Sequence, residues 1–274
     1  MNALVLVATP IGNLGDLSPR AVEVLAAAAL VCCEDTRRSG RLLTHAGVHA
    51  RRLRRLDEHT ELAAIDDVIG VLASGESVAV VTDAGTPGIS DPGARLVRAV
   101  IDAGYEVTSV PGPVALVMAL VVSGLPTDRF VFEGFLPRSG RDRTTRLAEI
   151  AVERRTVVLY EAPHRVARTV TDLAGSCGGD RRVALCRELT KLHEEVWRGT
   201  LADAARHLAA SEPLGEFVIV LDGAPSATPI DDDAVRTILR KYLAAGSSTK
   251  DAAVEVAALT GRARREVYEL ALSL

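Results

Sequence analysis

Residues Thr82–Gly93 read TDAGTPGISDPG, placing three glycines, two prolines and two aspartates in one connection. An apolar run with β character, Ser77–Val81 (SVAVV), precedes it, and a helical pattern, Ala94–Ala103, follows. A plain strand-to-helix turn needs about one glycine, so this density specifies a backbone bent into a set shape with little side-chain bulk in the way. A loop of this kind at the C-terminal end of a strand is where open α/β sheets bind ligands. Asp83 and Asp91 argue against a plain phosphate cradle. They suit a ribose hydroxyl pair or a cationic ligand, and Asp91, just before the next helix, reads as that helix's N-cap.

The same strand–turn–helix unit recurs along the first half. Leu4–Ala8 is a predicted strand, and Ser18-Pro19 supplies an N-cap and an N1 proline for a helix through Ala29. Leu30–Cys33 is a second strand, with Cys32 and Cys33 pointing to opposite faces. Helical patterns at Thr36–Ala46 and Leu62–Ala73 precede Ser77–Val81, Gly104 is a C′ glycine, and Tyr105–Val110 is a further strand. This order implies a largely parallel sheet. The pattern breaks between Pro111 and Asp128. Beyond it, strands at 129–133, 156–161, 182–189, 194–199 and 216–221, with helical patterns at 141–153, 164–175 and 201–210 between them, predict a mixed sheet with its last strands antiparallel. Gly223–Pro229 reads as a linker, and three helical patterns follow, with Gly246 and Gly261 as stops. This tail is either a helix-turn-helix that touches nucleic acid or an amphipathic cover. The expected organisation is an α/β domain over 1–118, a second α/β domain over 119–224 and a helical module over 230–274.

The 274 residues are 48% hydrophobic and 25% charged, a globular profile. Aromatics reach only 3%, which disfavours a base-stacking surface. No apolar run approaches the ~20 residues of a membrane span and no signal peptide is evident, so the cytoplasm is the expected location and no membrane partner is expected. Four cysteines without a CxxC pair read as buried thiols, with no metal site. Net charge is −4, yet arginines cluster at 51–55, 138–146 and 262–265. The middle cluster sits with Ser139, Gly140 and Thr144 in what reads as a mobile loop suited to an anion.

Other strand ends carry charge. The first turn, ATPIGNLGD (Ala8–Asp16), is neither a dinucleotide fingerprint nor a P-loop. Glu34-Asp35-Thr36-Arg37-Arg38 is either a functional edge or a cap with its arginine partner. Pro111-Gly112-Pro113 opens a helix of small residues whose N-terminus offers free N–H groups. Tyr160–Arg165 (YEAPHR) and Arg187–Lys191 (RELTK) end further strands. A lone histidine such as His164 is more often structural than catalytic, but its place beside Arg165 raises the functional reading. Loops converging from two sheets picture a cleft for a small, mostly apolar cofactor carrying ribose and a cation.

Together VATPIGNLGDLSPRA (7–21), CEDTR (33–37), TDAGTPGISDPG (82–93), PGP (111–113), SGLPTDRFVFEGFLPR (123–138), LYEAPHR (159–165) and RELTK (187–191) resemble the tetrapyrrole methylase superfamily. Within it they are similar to the branch that methylates the cytidine 2′-oxygen of small-subunit (16S) ribosomal RNA. The resemblance implies two α/β domains with S-adenosyl-L-methionine in the cleft between them, and a homodimer acting on small-subunit ribosomal RNA or the assembled 30S subunit. By motif, Pro10, Asp83, Gly85, Thr86, Pro87, Pro111, Gly112, Val114, Ala115 and Tyr160 should line the cofactor. Arg37, Arg138, Arg141, Arg143, His164 and Arg165 are the candidate RNA contacts. Glu161, Lys191 and Glu34 lead the catalytic candidates, with Asp35 and Glu188 behind them. Three departures stand out: Val114 where the family usually has Ser, Arg138 without a following lysine, and Asp57-Glu58-His59-Thr60 as the sole trace of a histidine- and asparagine-containing stretch. Rival readings are a methylase acting on a tetrapyrrole and a non-catalytic RNA-binding scaffold.

Overall fold

The structure, a computed structural model, describes residues 2–57, 60–210, 212–225 and 231–274. Residues Met1–Ala224 form one compact body and Pro225–Leu274 another. Glu58 and His59, and most of the linker reading at 223–229, lie outside the described residues.

The larger body begins with β1 (Ala3–Val7), α1 (Pro19–Ala27), β2 (Leu30–Cys33), α2 (Thr36–His45), β3 (Leu53–Arg55), α3 (Glu61–Ala73), β4 (Val78–Val81), α4 (Ala94–Asp102) and β5 (Glu106–Val110). The five strands form a sheet in the order β3-β2-β4-β1-β5, parallel at every pairing. Being covered on both faces, its inner strands are continuous apolar runs. Leu4, Leu30, Cys32, Val78 and Val80 pack toward α3 and α4. Val7, Val31, Cys33, Ala79 and Val81 pack toward α1 and α2. The two adjacent cysteines thus belong to different cores, as their alternation requires. The Ser18 hydroxyl accepts from Ala21 N at 3.1 Å and starts α1 with Pro19 behind it. Strand β3 was not expected. It is three residues of mostly arginine, and Arg52 and Arg54 both pair with Asp67 of α3. An edge strand this short and this charged carries no periodic signal.

Next come α5 (Ala115–Ser123), β6 (Phe130–Phe135), α6 (Gly140–Val152), β7 (Thr156–Glu161), α7 (Pro163–Cys177), β8 (Arg182–Arg187), β9 (Glu195–Thr200), α8 (Leu201–Ala209) and β10 (Phe217–Leu221). The second sheet runs β6-β7-β10-β8-β9. Its first pair is parallel and the other three are antiparallel, the mixed sheet expected from sequence. Val157 and Leu159 face the core under α6, α7 and α8, while Val158 and Tyr160 face α5. Helix α5 runs unbroken through residues 118 and 119 and packs on the second sheet, so the first sheet's share of the chain ends at Val110. Arg141, Arg143 and Arg146 stand on α6, not in a mobile loop.

The smaller body is three helices, α9 (Asp232–Ala244), α10 (Thr249–Thr260) and α11 (Arg264–Leu272), around Val235, Leu239, Ala252, Val256 and Val267. Gly261, at φ +67°, ends α10 in the left-handed conformation and turns the chain into α11.

Candidate active site

Three neighbouring strands of the first sheet, β4, β1 and β5, end side by side. Their exit loops are tied together. Thr9 N donates to Gly85 O at 2.8 Å, and Gly85 N returns a bond to Thr9 O at 3.1 Å. Thr86 Oγ1 donates to Pro113 O at 3.3 Å. Gly112 permits the last approach, because a Cβ there would stand 2.8 Å from Ala8 Cβ. Within the Thr82–Gly93 loop, Gly85, Gly88 and Gly93 all take positive φ, and so does Ser90 at +61°. A non-glycine residue held there is uncommon and costs free energy that the surroundings must offset.

The helix after that loop is not capped by Asp91. Gly93 is the N-cap residue of α4, and the Oε1 of Glu61, reaching from the first turn of α3, accepts from Gly93 N, Arg95 N and Leu96 N at 3.1, 2.9 and 3.0 Å. Glu61 is only 5% exposed. A carboxylate on a helix N-terminus satisfies orphan N–H groups and meets the positive end of the helix dipole. It anchors the far end of the loop and leaves Asp91 free of the capping task.

The second sheet presents one edge to these loops. The ends of β6, β7 and β8 and the starts of β9 and β10 lie along it, so the FLPR, EAPHR and RELTK segments share an edge. RELTK reaches across to the first turn, where Asn13 N donates to Thr190 Oγ1 at 3.2 Å. Glu188 and Thr190 hold φ of +52° and +67° to make that reach.

Between the two edges lies a cavity of about 430 Å³. Gly85, Thr86 and Ile89 form one wall, Val114 and Ala115 another, and Tyr160, Phe135 and Val218 a third. Tyr160 packs edge-on against Phe132 and Phe135, with centroids 4.9 and 5.8 Å away. Its hydroxyl accepts from Leu116 N at 3.1 Å. Val114 is the N-cap residue of α5 and has no side chain to cap with, so Tyr160 satisfies the orphan N–H that a serine would otherwise address. Burial and the nearby Asp91 push the Tyr160 hydroxyl pKa up. Cys186 also lines the cavity, and burial pushes its thiol up to about 12, which leaves it inert.

Of the residues expected to line the cofactor, Gly85, Thr86, Val114, Ala115 and Tyr160 share this cavity, whereas Pro87, Pro111 and Gly112 are not in its lining. Pro10 and Asp83 line a neighbouring recess of about 280 Å³ with Arg38, Ser39 and Arg41. There Asp83 pairs with Arg38 at 3.3 Å and accepts from Asp35 N at 3.2 Å, so it faces its own partners and not the main cavity.

The catalytic candidates separate by partner. Glu161 lines the cavity but is 2% exposed and fully engaged. It accepts from Ala162 N at 3.0 Å and from the Thr169 hydroxyl at 2.6 Å, and pairs with Arg165 at 3.1 Å. Such a carboxylate is a positioning group. Lys191 Nζ donates to Glu188 and Glu216, each at 2.8 Å. Burial disfavours its ammonium, but these bonds outweigh that and raise its pKa, while the Lys191 partner lowers that of Glu188. Glu34 accepts from Thr82 Oγ1 at 3.4 Å, and burial beside Asp83 raises its pKa. Asp35 caps α2, and its bonds from Arg37 bring it down to about 2. Asp91, which is not the cap the sequence suggested, lines the main cavity with its pKa pushed up to about 6 by burial and by the charges of Glu34 and Asp83.

A cationic recess of about 400 Å³ is lined by Arg138, Arg143, His164, Arg165, Arg168 and Thr169. Arg143 is 4% exposed and spends its guanidinium on Asp172, Pro137 O and Thr169. Arg143 thus forms the floor of the recess beneath the exposed Arg138, His164 and Arg168. Arg141 is exposed on α6, and Arg37 is exposed on α2 beside a shallow recess with Arg38 and Arg41. Arg168, one turn beyond His164, was not anticipated. Among the described residues, no group of three His, Cys, Asp or Glu is arranged to hold a metal.

The model of the Tetrapyrrole (Corrin/Porphyrin) Methylases matches residues 3–205. The chain belongs to that family. Solved structures of similar fold include the methyltransferase CobJ, at TM-score 0.60 and 21% identity over 81% of this chain and 94% of that one. The cobalt precorrin-4 methyltransferase CbiF gives 0.58 and 16%, over 81% and 95%. At these identities the likeness speaks for the methylase fold alone. Curated relatives span the whole chain. Ribosomal RNA small subunit methyltransferase I of Synechocystis is 46% identical over 100% of this chain and 99% of its own length. The proteins of the same name in Xylella fastidiosa and Mycobacterium tuberculosis are 47% and 45% identical, covering 96% and 98% of this chain and 96% and 94% of their own. Residues 229–274 match the RsmI C-terminal HTH domain, which favours the helix-turn-helix reading of this tail over a plain amphipathic cover.

Proposed function

We propose that this methylase transfers a methyl group from S-adenosyl-L-methionine to the ribose 2′-hydroxyl of a cytidine in small-subunit ribosomal RNA. The full-length likeness to curated ribosomal RNA small subunit methyltransferases, at 43–47% identity, carries the reading. The cavity supports it. Its volume lies in the range of small-molecule sites, and its walls are mostly apolar with few polar groups, as a nucleoside ligand requires. The faces of Tyr160 and Phe135 suit a cation. Gly85, Thr86, Val114, Ala115 and Tyr160 are the residues that would hold the cofactor, which when bound supplies an electrophilic methyl group on a sulfonium.

Positioning does most of the work in such a displacement, because the acceptor oxygen must lie in line with the bond to be broken. The cationic recess of Arg138, His164, Arg165 and Arg168 adjoins the cavity through Ala162 and Pro163 and offers charge to an RNA backbone. The exposed Val117, Met118 and Val121 of α5, a helix apolar all round, support self-association, which sedimentation would read as a dimer mass. No helix among the described residues is long and apolar enough to cross a membrane.

Two measurements test the function. S-adenosylhomocysteine should raise the melting temperature in proportion to its binding, and no shift at saturation would favour a non-catalytic scaffold. Mass spectrometry of small-subunit ribosomal RNA from cells lacking the chain should show one 2′-O-methylcytidine missing. An unchanged modification profile would overturn the assignment.

A further inference from the structure

We infer that Asp91 accepts the proton of the acceptor hydroxyl, which makes it a catalytic residue of the methyl transfer. The inference rests on the function proposed above and names the base that it leaves open.

Three acidic side chains line the cavity: Asp91, Glu161 and Glu216. Two are already committed to cations. Glu161 is locked by Arg165, Thr169 and Ala162 N in a buried network, and Glu216 pairs with Lys191 at the exposed rim. Among the described residues, Asp91 has no cationic partner. Its surroundings are the Thr82 hydroxyl, the carboxyls of Glu34 and Asp83 from the ends of β2 and β4, and the phenol of Tyr160 from β7. Arg38, which faces this group, is spent on Asp83. A carboxyl in that setting holds its proton unusually well, up to a pH of about 6.

The backbone holds Asp91 in this place at a cost. Ser90 before it sits at φ +61°, and Glu61 performs the capping that Asp91 would otherwise do. Strain of this kind collects where position matters to chemistry. Glu34 and Lys191, the other leading candidates, are absent from the cavity lining.

The step balances simply. The hydroxyl proton passes to a carboxylate oxygen of Asp91 while an electron pair of the 2′-oxygen forms the new O–CH3 bond. The pair of the broken C–S bond returns to sulfur, leaving a neutral thioether. The protonated carboxyl then gives its proton to water. A base whose pKa lies just below the working pH is ionised and still basic enough to help, an effect worth roughly 10²–10⁴-fold.

The test is Asp91→Asn in the full-length protein, with small-subunit ribosomal RNA from cells lacking the chain as acceptor. Single-turnover rates should fall about 10²-fold or more. The melting-temperature shift with S-adenosylhomocysteine and the retention of RNA on a filter should stay close to wild type. The wild-type rate should rise with pH through about 6, and the variant should lose that limb. A ¹³C-carboxyl NMR titration of the unliganded protein should find one aspartate with its midpoint near 6 that disappears in Asp91→Asn. An unchanged rate and pH profile in the variant overturns the proposal, and so does loss of S-adenosylhomocysteine binding, which would place Asp91 on the cofactor instead. If wild-type protein methylates no RNA, the proposed function itself fails, a result the variant cannot imitate.

Discussion

Two groups of charged side chains flank the cavity, and they are built on opposite principles. On the second sheet, Glu161, Arg165, Thr169, Arg143 and Asp172 form a closed network in which charges are paired and buried donors find acceptors. On the first sheet, Asp91, Glu34 and Asp83 crowd three carboxyls near Thr82, with Arg38 the one cation paired among them in the described residues. The first arrangement fixes geometry, since a satisfied buried network has few alternatives. The second stores electrostatic free energy, and natural proteins keep such energy where chemistry uses it. Partner count, more than position in a motif, separates framework from reagent here.

The comparison breaks most visibly at Glu161. Glu161→Ala leaves the buried Thr169 hydroxyl without its acceptor and the half-buried Arg165 with only Leu136 O, so unfolding free energy measured in urea should fall by about 3 kcal/mol. A variant of full stability and no turnover would move Glu161 to the reactive side. Glu61→Ala should come next, at about 2–3 kcal/mol, because three N–H groups of α4 lose one charged acceptor. Its melting-temperature shift with S-adenosylhomocysteine should shrink, because the loop it anchors lines the cavity. Tyr160→Phe should cost about 1 kcal/mol in the same urea experiment, through the unsatisfied Leu116 N.

Asp91→Asn should act in the other direction. The folded pKa, about 6, lies above the ordinary aspartate value of 3.8, so the folded state holds its proton more tightly than the unfolded chain. Stability is therefore lost as pH rises from 3.8 through 6 and stays lost above it. The asparagine carries no such penalty. Its melting temperature should exceed wild type at pH 8, with the difference fading toward pH 4. Identical melting curves at both pH values would place Asp91 with the satisfied groups. Lys191→Ala has the smallest expected effect on stability, under about 1 kcal/mol, since its pairs lie partly in solvent. Calorimetry should show nearly intact S-adenosylhomocysteine affinity together with reduced turnover. Lost affinity would put Lys191 in the pocket wall.

Much of this could be read in the chain itself. Strand-then-helix alternation, the Ser18-Pro19 start, the glycine stops and the change from a parallel to a mixed sheet follow from local periodicity and capping. The strand-end motifs lie along the two edges that border the cavity. Three things were beyond reach of such signals. Strand β3 is too short and too charged to show alternation. Glu61 caps a helix more than thirty residues away, a pairing no local window contains. Arginines 141–146 look like one cationic run, but α6 turns them to different faces, so that Arg143 is buried while Arg141 is exposed.

Sequence alone thus determined the layers, the glycine-rich loop at Thr82–Gly93 and the segments that meet it, because backbone conformation answers to nearest neighbours. Only the tertiary structure decided which carboxyl is spent and which is free. Burial and partners come from residues far apart in the chain, and they left Glu161 holding the frame and Asp91 facing the cavity with no counter-charge among the described residues.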